Sequence, residues 1–274
     1  MRTLLFFAFL LGLMTTFATS ARGDTVWVFV GTYTGKMSRG IYRVELDTAT
    51  GKLGAPELAA EIASPSFVAI HPNRTHLFCV CEISDFGGKK AGGVASFTLD
   101  SKTGALKLIN QQSSGGAGPC YVACDKQGKN VLVANYGGGS VAVLPVDKDG
   151  KLGEASAFVQ HAGSSVVKGR QEAPHAHSIN LDKANKFAVA ADLGLDKLFV
   201  YKFDADAGKI AANDPPALDL APGAGPRHFA FHPNGKFAYA NNELDSTVTA
   251  LTYDAEKGTF TKLNTLSTLP TPTK

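Results

Sequence analysis

The feature that most constrains this chain is a repeat with a period near fifty residues, because self-similarity on that scale belongs to propellers and solenoids. A short strand–Asp–turn–Gly unit occurs five times: Ile41 to Asp47 with Gly51, Val94 to Asp100 with Gly104, Val141 to Asp147 with Gly150, Leu198 to Asp204 with Gly208, and Val248 to Asp254 with Gly258. Each reads as a hairpin in which the aspartate bonds its own turn backbone and the glycine supplies a positive φ. A second unit precedes it in four copies that align without gaps, Ser66 to Glu82, Tyr121 to Gly137, His177 to Leu193 and Arg227 to Glu243. Each is two strands around one turn, marked in the first copy by His71-Pro72-Asn73-Arg74 and in the last by His232-Pro233-Asn234-Gly235-Lys236.

The two units together give four strands per repeat, with starts separated by 55, 56 and 50 residues. That is the plan of a β-propeller blade, so the predicted fold class is all-β, built of four-stranded antiparallel blades. The nearly continuous apolar runs Val131-Leu132-Val133-Ala134 and Phe187-Ala188-Val189-Ala190 suit strands buried on both faces between neighbouring sheets. Trp27 to Tyr33 matches a second strand, so the first blade lacks its innermost strand, and the chain reaches Pro270 to Lys274 where another blade would begin. The expectation is a partial propeller over residues 24–274, four full blades and most of a fifth, in a chain truncated at its C-terminus.

Residues 1–23 read as a separate unit: Arg2 gives a positive start, Leu4 to Met14 an apolar core, and Ala18-Thr19-Ser20 a small-residue cleavage site. This predicts a signal peptide and export to the periplasm or the medium, with no membrane contact after cleavage. A net charge of +3 is too small to imply nucleic acid. Export permits disulfides, but Cys79 and Cys81 lie two apart on one strand and point the same way, and Cys120 and Cys124 also share one strand face, so all four read as small core residues.

Propeller symmetry places equivalent positions side by side around one mouth of the central channel. Ser66, Tyr121, His177 and Arg227 therefore share a rim, with Glu82, Gly137, Leu193 and Glu243 behind them, and Arg227 and Glu243 become cross-strand partners. Asn135, Tyr136, Asp192, Asn241 and Asn242 keep the positions just before this rim polar. In the run Arg170-Gln171-Glu172-Ala173-Pro174-His175-Ala176-His177-Ser178, His177 is the rim residue and His175 a supporting one. No third ligand is fixed by spacing, so no metal is expected there. His71, His76 and His232 fall at the opposite turns, and Lys168 and Arg170 read as a solvated loop that could bind an anion.

The motifs Arg170-Gln171-Glu172-x-Pro174-His175-x-His177-Ser178, Ala191-Asp192-Leu193-Gly194-Leu195-Asp196, Gly225-Pro226-Arg227-His228 and Asn241-Asn242-Glu243-Leu244 resemble the lactonase family of seven-bladed propellers. Val30-Gly31-Thr32-Tyr33-Thr34 is similar to its opening strand. That family includes propeller-type 6-phosphogluconolactonase and the fungal 3-carboxymuconate lactonising enzyme. The resemblance implies two further blades and hydrolysis of a small sugar lactone; a monomer without a cofactor is expected. The resemblance also implies catalytic roles for His177, Arg227 and Glu243; Ser66, Glu82, Tyr121, His175, His228 and Asn242, at or beside the same rim, are the expected substrate contacts. A propeller that binds a sugar or a protein at the same rim without turnover, and lactonising chemistry of the muconate type, are the alternatives.

Overall fold

The computed structural model describes residues 24–270, and the expected signal peptide lies outside the described residues. Those residues form nineteen strands and no helix. The first sheet joins β1 (Thr25–Val30), β2 (Gly40–Asp47) and β3 (Glu57–Glu61). Next come β4 (Val68–Ile70), β5 (His76–Cys81), β6 (Gly93–Leu99) and β7 (Leu106–Ser113), then β8 (Pro119–Cys124), β9 (Asn130–Asn135), β10 (Ser140–Pro145) and β11 (Ala157–Gln160). The last two sheets are β12 (Ala176–Leu181), β13 (Phe187–Asp192), β14 (Lys197–Asp204), β15 (Lys209–Asp219), and β16 (Pro226–Phe231), β17 (Phe237–Asn242), β18 (Thr247–Asp254), β19 (Thr259–Ser267). Every pairing is antiparallel and follows chain order, which is the blade arrangement of a propeller, with β4, β8, β12 and β16 adjacent at the channel. No helix among the described residues is long and apolar enough to cross a membrane.

The predicted turns form by the predicted chemistry. Asp47, Asp100, Asp147, Asp204 and Asp254 each accept backbone N–H groups of their own turn through Oδ1. The glycines that follow, Gly51, Gly104, Gly150, Gly208 and Gly258, all have φ between 62° and 79°. Turns between the first two strands use a second device: His71 and His232 accept from the N–H two residues on, as Asp125 does in its own blade. Both histidines are turn residues for that reason.

The core lies between sheets. Along β9, Val131 and Val133 pack into one cluster with Val122 and Phe78, while Leu132 and Ala134 pack into the next with Ile179 and Ala190. β13 divides in the same way, Val189 and Ala191 facing Leu251 and Ala240. Burial of both faces explains the unbroken apolar runs. β17 instead alternates buried and exposed residues, since only one of its faces is covered among the described residues. All four cysteines are free thiols. The shared face expected for Cys120 and Cys124 is corrected by an irregularity after Pro119, which leaves Cys124 against the inter-sheet core and turns Cys120 elsewhere.

Candidate active site

One backbone irregularity, repeated blade by blade, builds the site. The ladder slips by a residue between Pro119 and Tyr121, between Ala176 and Ser178, and between Pro226 and His228. Cys120, His177 and Arg227 are therefore the extra residues of three equivalent bulges, a device that re-aims a side chain without ending the strand. The same hydrogen bond closes each one, the N–H groups of Tyr136, Leu193 and Glu243 donating to the carbonyls of Gly118, His175 and Gly225 at 2.8–3.0 Å, and it recurs from Glu82 to Ser64 beside β4, where the ladder has no bulge. Two residues beyond those carbonyls stand Ser66, Cys120, His177 and Arg227. The second copy of the repeat is thus Cys120 with Tyr136, not Tyr121 with Gly137. A one-residue slip of register moves a side chain to the other side of the strand, so Tyr121 points away from the mouth and donates its hydroxyl proton to Asn180 Oδ1 at 2.7 Å.

These positions line a cavity of about 420 Å³ at one mouth of the channel, together with Tyr33, Glu82, Arg170, His228 and Glu243. A larger cleft, about 800 Å³, runs along β1 past Trp27, Ile70 and Lys102; Glu45, His71 and Arg74 also line it, but among the described residues no ion pair joins them, whereas Arg170 and Arg227 both pair with Glu243 in the smaller cavity. Glu243 is the electrostatic centre. Its Oε2 lies 2.8 Å from Arg227 Nε in an ion pair, and its Oε1 accepts a hydrogen bond from Arg170 Nη2. Burial pushes the Glu243 carboxyl up, but the hydrogen bond and charge of Arg170 and the charge of Arg227 outweigh it and hold the group below its ordinary range. Hydrogen bonds from Arg170 to Glu243 and Tyr136 raise the guanidinium in turn.

His177 is 9% exposed. Burial first and the Arg227 charge second push its imidazole down to about 4, so it is neutral at neutral pH and has a lone pair to offer. His228, with ring centroid 5.4 Å from His177, is lowered by the same two causes. Across the cavity, Glu82 Oε2 accepts from Tyr33 OH at 2.9 Å and from Ser66 Oγ. Partial burial and the bond to Glu82 push the Tyr33 hydroxyl up to about 12, and burial with the Glu82 charge does the same to the Cys120 thiol. Cys120 is therefore a thiol and not a thiolate.

Beneath His177 lies a support that spacing did not reveal. Asp192 Oδ1 accepts the N–H of His175 at 2.8 Å and of Gly194 at 3.0 Å. Its Oδ2 meets His161 Nδ1 at 2.6 Å, and His161 Nε2 meets Tyr201 OH at 2.6 Å. Every partner is satisfied with the proton on Nδ1 and the tyrosine donating to Nε2. The His161 and Asp192 side chains are 1% and 0% exposed, and a hydrogen bond of this kind to a buried carboxylate contributes about 1.5–3 kcal/mol.

Of the residues expected at the site, His177, Arg227, Glu243, Ser66, Glu82 and His228 line the cavity. His175 stands behind it, its ring stacked on Tyr136 at 4.5 Å and its Nδ1 3.0 Å from the Tyr136 carbonyl. Asn242 is buried and donates to Thr247 and Thr249 within its own blade. Tyr33, Phe67, Cys120, Tyr136 and Arg170 complete the lining. Arg170, read from sequence as solvated, is only part-exposed and paired to Glu243. Among the described residues no group of three or more His, Cys, Asp or Glu side chains is placed to hold a metal ion.

A protein of Bacillus subtilis named 6-phosphogluconolactonase is 40% identical to this chain over 242 residues, covering 88% of this chain and 66% of the relative. A 6-phosphogluconolactonase of Formosa agariphila is 36% identical over 225 residues, 81% of this chain and 63% of the relative. The chain thus spans just under two thirds of the length of these curated relatives. Among solved structures, the periplasmic gluconolactonase of Pseudomonas aeruginosa superposes with a TM-score of 0.84 at 33% identity, over 92% of this chain and 70% of that one. The family model described as Lactonase, 7-bladed beta-propeller matches residues 27–274, and the chain belongs to that family.

Proposed function

We propose that this cavity opens a sugar lactone by hydrolysis, as a lactonase of the 6-phosphogluconolactonase type. The observation that carries the reading is the placement of a neutral His177 beside Arg227 in one cavity, with Glu243 fixing the guanidinium. Arg227 polarises the lactone carbonyl, and water adds to the carbonyl carbon as His177 takes its proton. A group near pH 4 is a weak base at the outset. The oxyanion that develops beside Arg227 offsets the guanidinium charge and raises the imidazole as the water loses its proton. Collapse of the adduct breaks the bond to the ring oxygen, His177 returns the proton there, and a hydroxy acid leaves. Glu82, with Ser66 and Tyr33, presents acceptors and donors suited to sugar hydroxyls.

Conversion of His177 to Ala is expected to lower turnover of δ-gluconolactone by about 10²–10⁴-fold above the spontaneous rate, the usual contribution of general base catalysis. Unchanged turnover in a folded His177→Ala protein overturns the role. Binding of the lactone by the wild type without turnover favours the non-enzymatic propeller instead. The export reading rests on Arg2, the Leu4 to Met14 run and Ala18-Thr19-Ser20, and cell fractionation tests it.

A further inference from the structure

The Ala191 to Asp196 run has a second aspartate that the site does not touch. Asp196 is 4% exposed, sits in the turn after β13 with φ 54°, and among the described residues is held by neutral donors alone. Its Oδ1 accepts from Gln171 Nε2 at 2.9 Å and from the Gly225 N–H at 2.7 Å. Its Oδ2 accepts from Ser165 Oγ at 2.6 Å and from the Gly223 N–H at 2.7 Å. Two of these donors belong to the loop over residues 163–173 and two to the segment before β16. Only a carboxylate accepts on all four sites, since an amide in its place turns two of them into donors.

What those donors hold is the ion cluster of the cavity. Gln171 follows Arg170 directly. Gly225 lies two residues before Arg227, and its carbonyl accepts the Glu243 N–H at 2.8 Å. Arg170, Arg227 and Glu243 are thus each within two residues of a group tied to Asp196, or bonded to one. We infer that Asp196 is a positioning residue: its buried carboxylate draws the two loops together so that Arg170 and Arg227 meet on the single carboxylate of Glu243. The consequence for turnover rests on the lactone-hydrolase reading, while the consequence for the arginines does not.

Asp182 provides the control. It is equally buried, but its Oδ1 accepts the Lys186 and Phe187 N–H groups of its own turn, away from the cavity. The test compares wild type, Asp196→Asn, Ser165→Ala and Asp182→Asn by δ-gluconolactone kinetics and by the rate of phenylglyoxal modification at Arg170 and Arg227, read by peptide mass spectrometry. Asp196→Asn is expected to lower kcat more than it raises KM, by on the order of 100-fold, the loss a displacement of about 1 Å produces. It is also expected to speed modification of both arginines several-fold. Ser165→Ala removes one donor of four and is expected to speed it less, and it carries the test if Asp196→Asn does not fold. Wild-type arginine reactivity in a folded Asp196→Asn protein, or equal acceleration by Asp182→Asn, overturns the inference. A wild type without lactone turnover sinks the lactonase reading and leaves the arginine rates to decide on Asp196.

Discussion

Protonation of His177 should be visible as a loss of stability, and the size of that loss follows from the cavity. The imidazole is pushed down to about 4 in the folded protein, against about 6.5 in an unfolded chain. Between those values the unfolded state binds the proton that the folded state refuses, so stability falls as pH falls. The contribution is complete above about pH 6.5, is reduced by about 2 kcal/mol at pH 5, and by about 3 kcal/mol at pH 4. Urea unfolding of wild type and of His177→Asn, at steps from pH 7 to pH 4, isolates this effect. His228 and Glu243 titrate in both proteins, and the difference between the two curves belongs to His177. That difference is expected to fall by about 3 kcal/mol across the range. A difference that stays flat within about 0.5 kcal/mol refutes the claim that burial and Arg227 keep the imidazole neutral.

Two further outcomes follow from the same geometry. Glu243→Gln removes the charge that both guanidiniums share, and kcat/KM for δ-gluconolactone is expected to fall by about 10²–10³-fold, the scale for losing one preorganised electrostatic contact; full activity would show that Arg227 needs no partner. In Gly194→Ala the new methyl group overlaps the Ala173 carbonyl oxygen and crowds the His175 N–H that Asp192 holds, so the thermal midpoint is expected to drop, and an unchanged midpoint with unchanged kcat speaks against Asp192 as the support of this segment.

The hairpin turns could be read from sequence because their chemistry is local: an aspartate and a glycine at fixed offsets determine the turn wherever the blade lies. His177, Arg227 and Glu243 could be placed at one mouth because blade symmetry converts spacing into proximity. Tyr121 could not be placed by the same rule. A gap-free alignment of copies hides a single extra residue between blades, and one residue is enough to replace a tyrosine at the rim by Cys120. Arg170 was hidden for a different reason, since the conformation of its loop is set by Gln171 and Asp196 in the interior and not by its own residues. His161 lies outside both repeated units, and nothing in its neighbours announces the bond to Asp192.

The bulge at the start of β8, β12 and β16 separates the identity of a side chain from the integrity of its sheet. One backbone slot carries a hydroxyl at Ser66, a thiol at Cys120, an imidazole at His177 and a guanidinium at Arg227. In β8, β12 and β16 the strand on either side pairs alike whether thiol, imidazole or guanidinium is present. Such slots act as interchangeable sockets around a common opening. A chain of this kind can acquire new chemistry by changing one residue per blade, and Cys120, a protonated thiol facing the cavity, is the socket most open to being refitted with another functional group.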